Sequence, residues 1–152
     1  MLFRSIMRPS LISISRLSRN LPKGIWWWAE EVLSKGNLAA IDELFATDYV
    51  DHTNPPGWPP GITGHKHIIA LYHAAFPDFH FTIEQELAEG DLVVVRGSYQ
   101  MTHQGEFFGI APTRKHATTT GMHLFRIANG TIAEHWCNND DLGVMRQLGV
   151  VS

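Results

Sequence analysis

The chain reads as an α+β protein, with helices packed on the concave side of a curved, mainly antiparallel sheet. Helical periodicity is confined to the part before residue 78 and to a short stretch at the end. Between them lie segments of alternating polarity joined by tight turns. The 152 residues, 44% of them apolar and 18% charged, suit one domain that buries a real core without disulfides or metals.

Residues 25–34 read as the first helix. Gly36 stops it, and Asn37 is a candidate cap for a second helix over residues 38–45. The run Trp26-Trp27-Trp28 spans about 200° of a helix surface, so the three rings cannot all face one core. At least one must cover a neighbouring element, a pocket mouth or a second copy of the chain. Tyr49 leads into a loop rich in proline and glycine that reaches Gly61. Residues 65–76 carry Ile68, Leu71, Tyr72, Ala75 and Phe76 at helical spacing, and Pro77-Asp78 ends that helix.

Strands follow. Phe79, Phe81 and Ile83 alternate with His80, Thr82 and Glu84. A second strand is expected over residues 91–101, after the turn at Glu89-Gly90, and a third over residues 116–128. Asn129-Gly130 fits a two-residue hairpin turn into a fourth. That last strand carries Glu134, Trp136, Asn138 and Asp140 at spacing two, hence on one face if the strand is regular, where they suit a pocket wall. Leu142, Met145 and Leu148 then mark a short helix closed by Gly149. Asp140 falls where strand gives way to helix, a place that can half-bury a carboxylate and raise its proton affinity.

A net charge of −3 and the lack of a basic stripe give no reason to expect a nucleic-acid partner. No apolar run is long enough to span a membrane, and no membrane partner is expected. The single cysteine, Cys137, cannot form an internal disulfide. Residues 1–22 stand apart from the domain expected over residues 23–152. Arg4, Arg8, Arg16, Arg19 and Lys23 and five serines precede the first carboxylate, Glu30. This composition suits an organelle transit peptide, or else a poorly ordered extension or a start placed too far upstream. In a eukaryote the transit-peptide reading would place the protein in mitochondria; in a bacterium a cytoplasmic location is expected.

Nine histidines raise the question of a metal. His65 and His67 diverge on a helix, His67 and His73 point apart, and no His-Glu-x-x-His is present, so no metal site and no cofactor are expected. The polar residues that could share a pocket are Tyr49, His52 and Asn54 from the proline-rich loop, His103 near a strand end, His123 in mid-strand, and Glu134, Trp136, Asn138 and Asp140. Singly, each also suits a structural role: His52 and Asn54 could satisfy loop backbone, and Asp140 could cap the last helix.

The chain resembles the SnoaL-like polyketide cyclases, which have the NTF2-like α+β cone fold. The likeness rests on Glu31-Val-Leu-Ser-Lys-Gly-Asn37, Leu44-Phe45-Ala-Thr-Asp-Tyr49-Val-Asp-His52, Gly64, Phe76-Pro77-Asp78, Arg96, Thr102-His103-Gln-Gly105-Glu-Phe-Phe-Gly109, Pro112-Thr113, Phe125-Arg126-Ile127, Asn129-Gly130, and Glu134-His-Trp136 through Asp140 to Gln147-Leu148-Gly149. It implies a cofactor-independent intramolecular aldol condensation of a small, apolar or polyketide-like substrate. In it an aspartate, matching Asp140, removes a proton from a carbon between two carbonyls and then protonates the new oxygen; His123 is the companion candidate. It also implies a homodimer or larger homo-oligomer. Arg114 stands where relatives usually have glycine, which bears on substrate identity. The competing classes are a non-catalytic NTF2-like binding or dimerisation module and a cofactor-independent hydrolase or isomerase on the same cone. A buried Asp140 inside an apolar cavity favours catalysis, and an Asp140 turned outward as a cap favours the module.

Overall fold

A computed structural model describes Leu21 and residues 23–152. The expectations for residues 1–20 and for Pro22 lie outside the described residues. Leu21 is 2% exposed and packs into the core, and its carbonyl accepts the Gly24 amide at 2.8 Å. The packed domain therefore includes Leu21, two positions before the expected boundary.

Helix α1 runs as α-helix over Gly24–Trp27 and as π-helix over Trp28–Ser34. The wider turn, closed by the Lys35 amide on the Glu30 carbonyl at 3.0 Å, buries Trp28, Ala29, Val32 and Leu33 together. Trp28 is fully buried and meets Phe125 edge-on at 4.7 Å. Trp27 lies under the Lys23 ammonium, 3.9 Å from the ring centroid, and Trp26 is 63% exposed.

Helix α2 spans Leu38–Leu44 and passes directly into strand β1, Phe45–Asp51, where a continued helix and then a loop were expected. Only Phe45 and Tyr49 of β1 are buried, and its register breaks between Phe45 and Val50, so the strand shows no period of two. Helix α3, Gly61–Ala75, begins before the expected His65. It starts hard against the proline-rich loop: a Cβ on Gly64 would lie 1.9 Å from the Pro59 carbonyl oxygen.

Strands β2 (His80–Glu89), β3 (Leu92–Thr102), β4 (His116–Ala128) and β5 (Thr131–Asn139) complete a five-stranded sheet in the order β1-β5-β4-β3-β2. Every pairing is antiparallel except β1 with β5. Asn129 and Gly130 both have positive φ, at 50° and 76°, as a tight hairpin between β4 and β5 requires. Helix α4, Asp141–Leu148, closes the domain with Gly149 in the left-handed conformation.

One irregularity decides the function of β5. Arg126 pairs with Glu134 but Ile127 pairs with Ile132, so Ala133 is an extra residue in β5. Ile132 faces the core before this bulge. After it the parity reverses, and His135, Cys137 and Asn139 face inward.

Candidate active site

A cavity of about 340 Å³ lies between the inner face of the sheet and helices α1, α3 and α4. Its walls are mainly apolar, with Trp28, Ile69, Tyr72, Phe76, Tyr99, Met101, Phe107 and Val144 prominent. Asp51, Asn54, His65, His123, His135, Cys137, Asn139 and Asp141 bring polar groups to it. Few polar groups on an apolar concave wall are the usual make-up of a small-molecule site.

The expected wall of Glu134, Trp136, Asn138 and Asp140 must be corrected, because the bulge at Ala133 turns the even positions of β5 to the opposite face of the sheet. There the His52 ring stacks on Trp136 at 4.3 Å and 1°. His52 Nε2 lies 2.7 Å from Glu134 Oε2, and the other Glu134 oxygen accepts from Arg126 at 2.6 Å. Asn138 and Asp140 border a shallow outer groove with Arg96 and Met122. Asp140 is the N-cap of α4, its Oδ1 accepting the Gly143 amide at 2.9 Å. His52 is likewise corrected from pocket to outer face.

Asn54 and His123 do line the cavity. Asn54 also donates to the Pro59 carbonyl at 2.7 Å, bracing the loop over α3. Tyr49 is buried behind the wall, and its hydroxyl donates to Asp51 Oδ2 at 3.0 Å. His103 is fully buried but lies outside the cavity lining; it packs on Phe76 and accepts the Thr113 amide at 3.1 Å through Nδ1.

Sequence reasoning passed over the residues that converge best. Asp51 sits at the end of β1, His65 in α3 and His135 in β5. His65 Nδ1 is 3.3 Å and His135 Nδ1 3.5 Å from the same oxygen, Asp51 Oδ2. The Thr53 amide and hydroxyl bind Asp51 Oδ1 at 3.0 and 2.7 Å. Burial alone would raise the Asp51 pKa, but the imidazoles of His135 and His65, with Thr53, hold it well below the usual carboxylate range. Asp51 is thus an anion at neutral pH. Burial lowers the pKa of His65 below the ordinary histidine value despite that anion.

A polar chain continues from this cluster. His135 Nε2 is 2.9 Å from His123 Nδ1, and His123 Nε2 is hydrogen-bonded to the Tyr99 hydroxyl. Burial holds His123 neutral, its pKa far below the ordinary value, and drives the Tyr99 pKa well upward. The Asp51 anion sets the direction: His135 Nδ1–H faces it, His123 Nδ1–H donates to His135, and Tyr99 O–H donates to His123.

Asp141 occupies the other end of the polar wall. Its side chain borders the cavity while its residue remains open to solvent on the far side. Desolvation raises its pKa, and the neighbouring Asp140 charge raises it further. The one signal that could have found it is the Asp-Asp pair itself: one member caps a helix, which leaves the next to face inward.

These elements define an α+β cone of the NTF2-like type with a mainly apolar cavity. The chain belongs to the SnoaL-like polyketide cyclase family, whose model matches residues 25–148. Among similar solved structures, IdmH of Streptomyces antibioticus, described as a candidate polyketide cyclase, is 32% identical over 88% of this chain and 99% of its own, with a TM-score of 0.74. A candidate polyketide cyclase from Acidithiobacillus ferrooxidans is 29% identical over 92% and 99%, with a TM-score of 0.76. AclR of Streptomyces galilaeus, described as a candidate hydroxylase, is 22% identical over 92% and 89% with a TM-score of 0.74, a likeness of fold alone. Comparison with functionally curated proteins finds no match.

Proposed function

We propose that the protein closes a ring in a small polyketide-like substrate by intramolecular aldol chemistry, with Asp141 as the acid/base. The observation that supports this is a carboxylate of raised proton affinity on the wall of an apolar cavity. Asp140, which the family resemblance singles out, is occupied as a cap, and its neighbour has the accessible carboxylate. In this reading Asp141 takes a proton from a carbon between two carbonyls. The resulting enolate attacks a carbonyl carbon of the same folded chain, and Asp141 returns the proton to the alkoxide. Atoms balance without a co-reactant. The apolar wall holds the chain folded and excludes water, which supplies proximity and strengthens the proton transfer. His123, with both ring nitrogens engaged, is a positioning residue that holds Tyr99.

A second reading, a non-catalytic binding module, draws support from the capping role of Asp140. Thermal-shift screening of small β-dicarbonyl and polyketide-like compounds, followed by turnover assays on the hits, separates the two. Stabilising ligands that are never converted favour the module. We further propose a homodimer or larger homo-oligomer, supported by the exposed Trp26 and Met122, which are 63% and 50% exposed. Sedimentation at micromolar concentration showing only monomer would count against it.

A further inference from the structure

We propose that Asp51, His65 and His135 form a binding site for one divalent first-row transition-metal ion on the cavity wall. The site would lie in the cavity of the proposed function but does not depend on the role of Asp141.

Three features carry this. First, the donor types are two imidazoles and one carboxylate, a set that suits such ions. Second, the distances suit ligands of one ion, the three donor atoms lying within 4.8 Å of one another, and are long for charge-assisted hydrogen bonds. A charge-assisted N–H···O⁻ bond is about 2.7–2.9 Å long. The two imidazole nitrogens instead stand 3.3 and 3.5 Å from Asp51 Oδ2. Two ligands on one tetrahedral ion, each bonded at about 2.0–2.1 Å, are separated by about 3.3 Å. Third, the site is built from buried side chains. The side chains of His65, Asp51 and His135 are 4%, 8% and 5% exposed, and His135 Nδ1 has no hydrogen bond of good geometry. A buried polar atom left in that state calls for an explanation, and an ion supplies one.

The surroundings of Asp51 and His135 suit an ion, whereas His65 Nε2, on the far side of its ring, is buried without a partner. Tyr49 holds the Asp51 carboxylate in place through its hydroxyl. His135 Nε2 has a partner in His123, as a ligating imidazole requires on its far nitrogen. His123, His135 and Cys137 also cluster, but the Cys137 sulfur already contacts the Thr53 hydroxyl and the Asn139 amide. His123 Nδ1 and His135 Nε2, at 2.9 Å, are spaced as hydrogen-bond partners.

A consequence follows from counting protons. With the ion absent, the chain runs from Tyr99 O–H to His123, from His123 to His135, and on to Asp51. With the ion on His135 Nδ1, the His135 proton must sit on Nε2 and donate to His123 Nδ1. His123 then carries its proton on Nε2 and donates to the Tyr99 oxygen. The Tyr99 hydroxyl proton is released to point into the cavity, where it can bind a substrate oxygen. The ion would therefore convert Tyr99 from a hydrogen-bond acceptor toward ligands into a donor.

The test uses the full chain after chelator treatment, with Zn²⁺ as the probe. Calorimetry should show one tight site that is lost in Asp51→Asn and His65→Ala and kept in Cys137→Ser. Long-range ¹H–¹⁵N NMR of the unmutated protein should show His123 and His135 change from the Nδ1–H to the Nε2–H tautomer as Zn²⁺ is added, a readout independent of turnover and of whether the variants fold. Unchanged tautomers at saturating Zn²⁺ would overturn the proposal. So would a tight site that survives Asp51→Asn and disappears in Cys137→Ser, which would put the ion on the other cluster.

Discussion

Asp140 and Asp141 are consecutive but have different tasks: Asp140 Oδ1 accepts the Gly143 amide at 2.9 Å, while Asp141 borders the cavity. The strand-to-helix junction produces this division. A capping residue must turn its side chain back over the first helical turn, and the next residue then leaves in another direction.

The pair makes a clean test of the proposed acid/base. Asp141→Asn should lower turnover by a factor on the order of 10² to 10⁴, the usual worth of one general acid/base. Asp140→Asn should leave turnover nearly unchanged, since an amide oxygen still caps. Full activity in Asp141→Asn on a substrate the protein converts would refute the role given to Asp141.

The cap itself should appear in stability. Asp140→Ala is expected to cost about 1 kcal/mol in thermal or denaturant unfolding. Gly143→Ala should also destabilise, because its Cβ would lie 2.2 Å from Asp140 Oδ2. Melting temperatures equal to that of the unmutated protein would show that the cap contributes nothing.

Asp141 has its own pH signature. As a base it must be ionised, so kcat/KM should rise with pH through its pKa, and that acid limb should lie above the ordinary aspartate value of 3.8. Its raised pKa means the fold disfavours the charged form. The penalty is absent below the unfolded-state pKa and complete above the folded one, so Asp141→Asn should melt slightly higher than the unmutated protein at pH 7. An acid limb that persists in Asp141→Asn would assign the titration to another group.

Asp51 should behave in the opposite sense. Its depressed pKa contributes stability that is fully present above the unfolded carboxylate pKa and is lost as pH falls through the folded one. In chelator-treated protein, Asp51→Asn should cost about 1.5–3 kcal/mol at pH 7, because the buried imidazole, hydroxyl and amide donors around it lose a charged acceptor. Equal denaturation midpoints for the two proteins would contradict the cluster's electrostatics.

His52 and Trp136 stack on the outer face. His52→Ala should therefore leave any turnover and ligand affinity intact, with a stability loss of about 1 kcal/mol or less. A large fall in affinity, measured by calorimetry with a thermal-shift hit, would place that face in the binding site.

The α+β class was legible in the residues alone, because helical and strand periods are local properties of a chain. Phe79, Phe81 and Ile83 announce a strand, Asn129-Gly130 a hairpin, and Asp140 a strand-to-helix junction, each within a few neighbours. The segments shared with the SnoaL-like family carried the cone. Strand β1 was missed because Phe45 and Tyr49 are its only buried anchors, four residues apart across a register break. The inward face of β5 was also misread. A single extra residue, Ala133, moves every later side chain to the other side of the sheet, and nothing in the alternation of Glu134, Trp136 and Asn138 reveals it. The cluster of Asp51, His65 and His135 was hidden for a related reason. Its members come from a strand, a helix and a second strand far apart in sequence. Their approach is decided by the parallel pairing of β1 with β5 and by the packing of α3 against β1. Composition and local pattern determined which elements form; only the tertiary packing decided which side chains meet, since meeting depends on register and on contacts between residues distant along the chain.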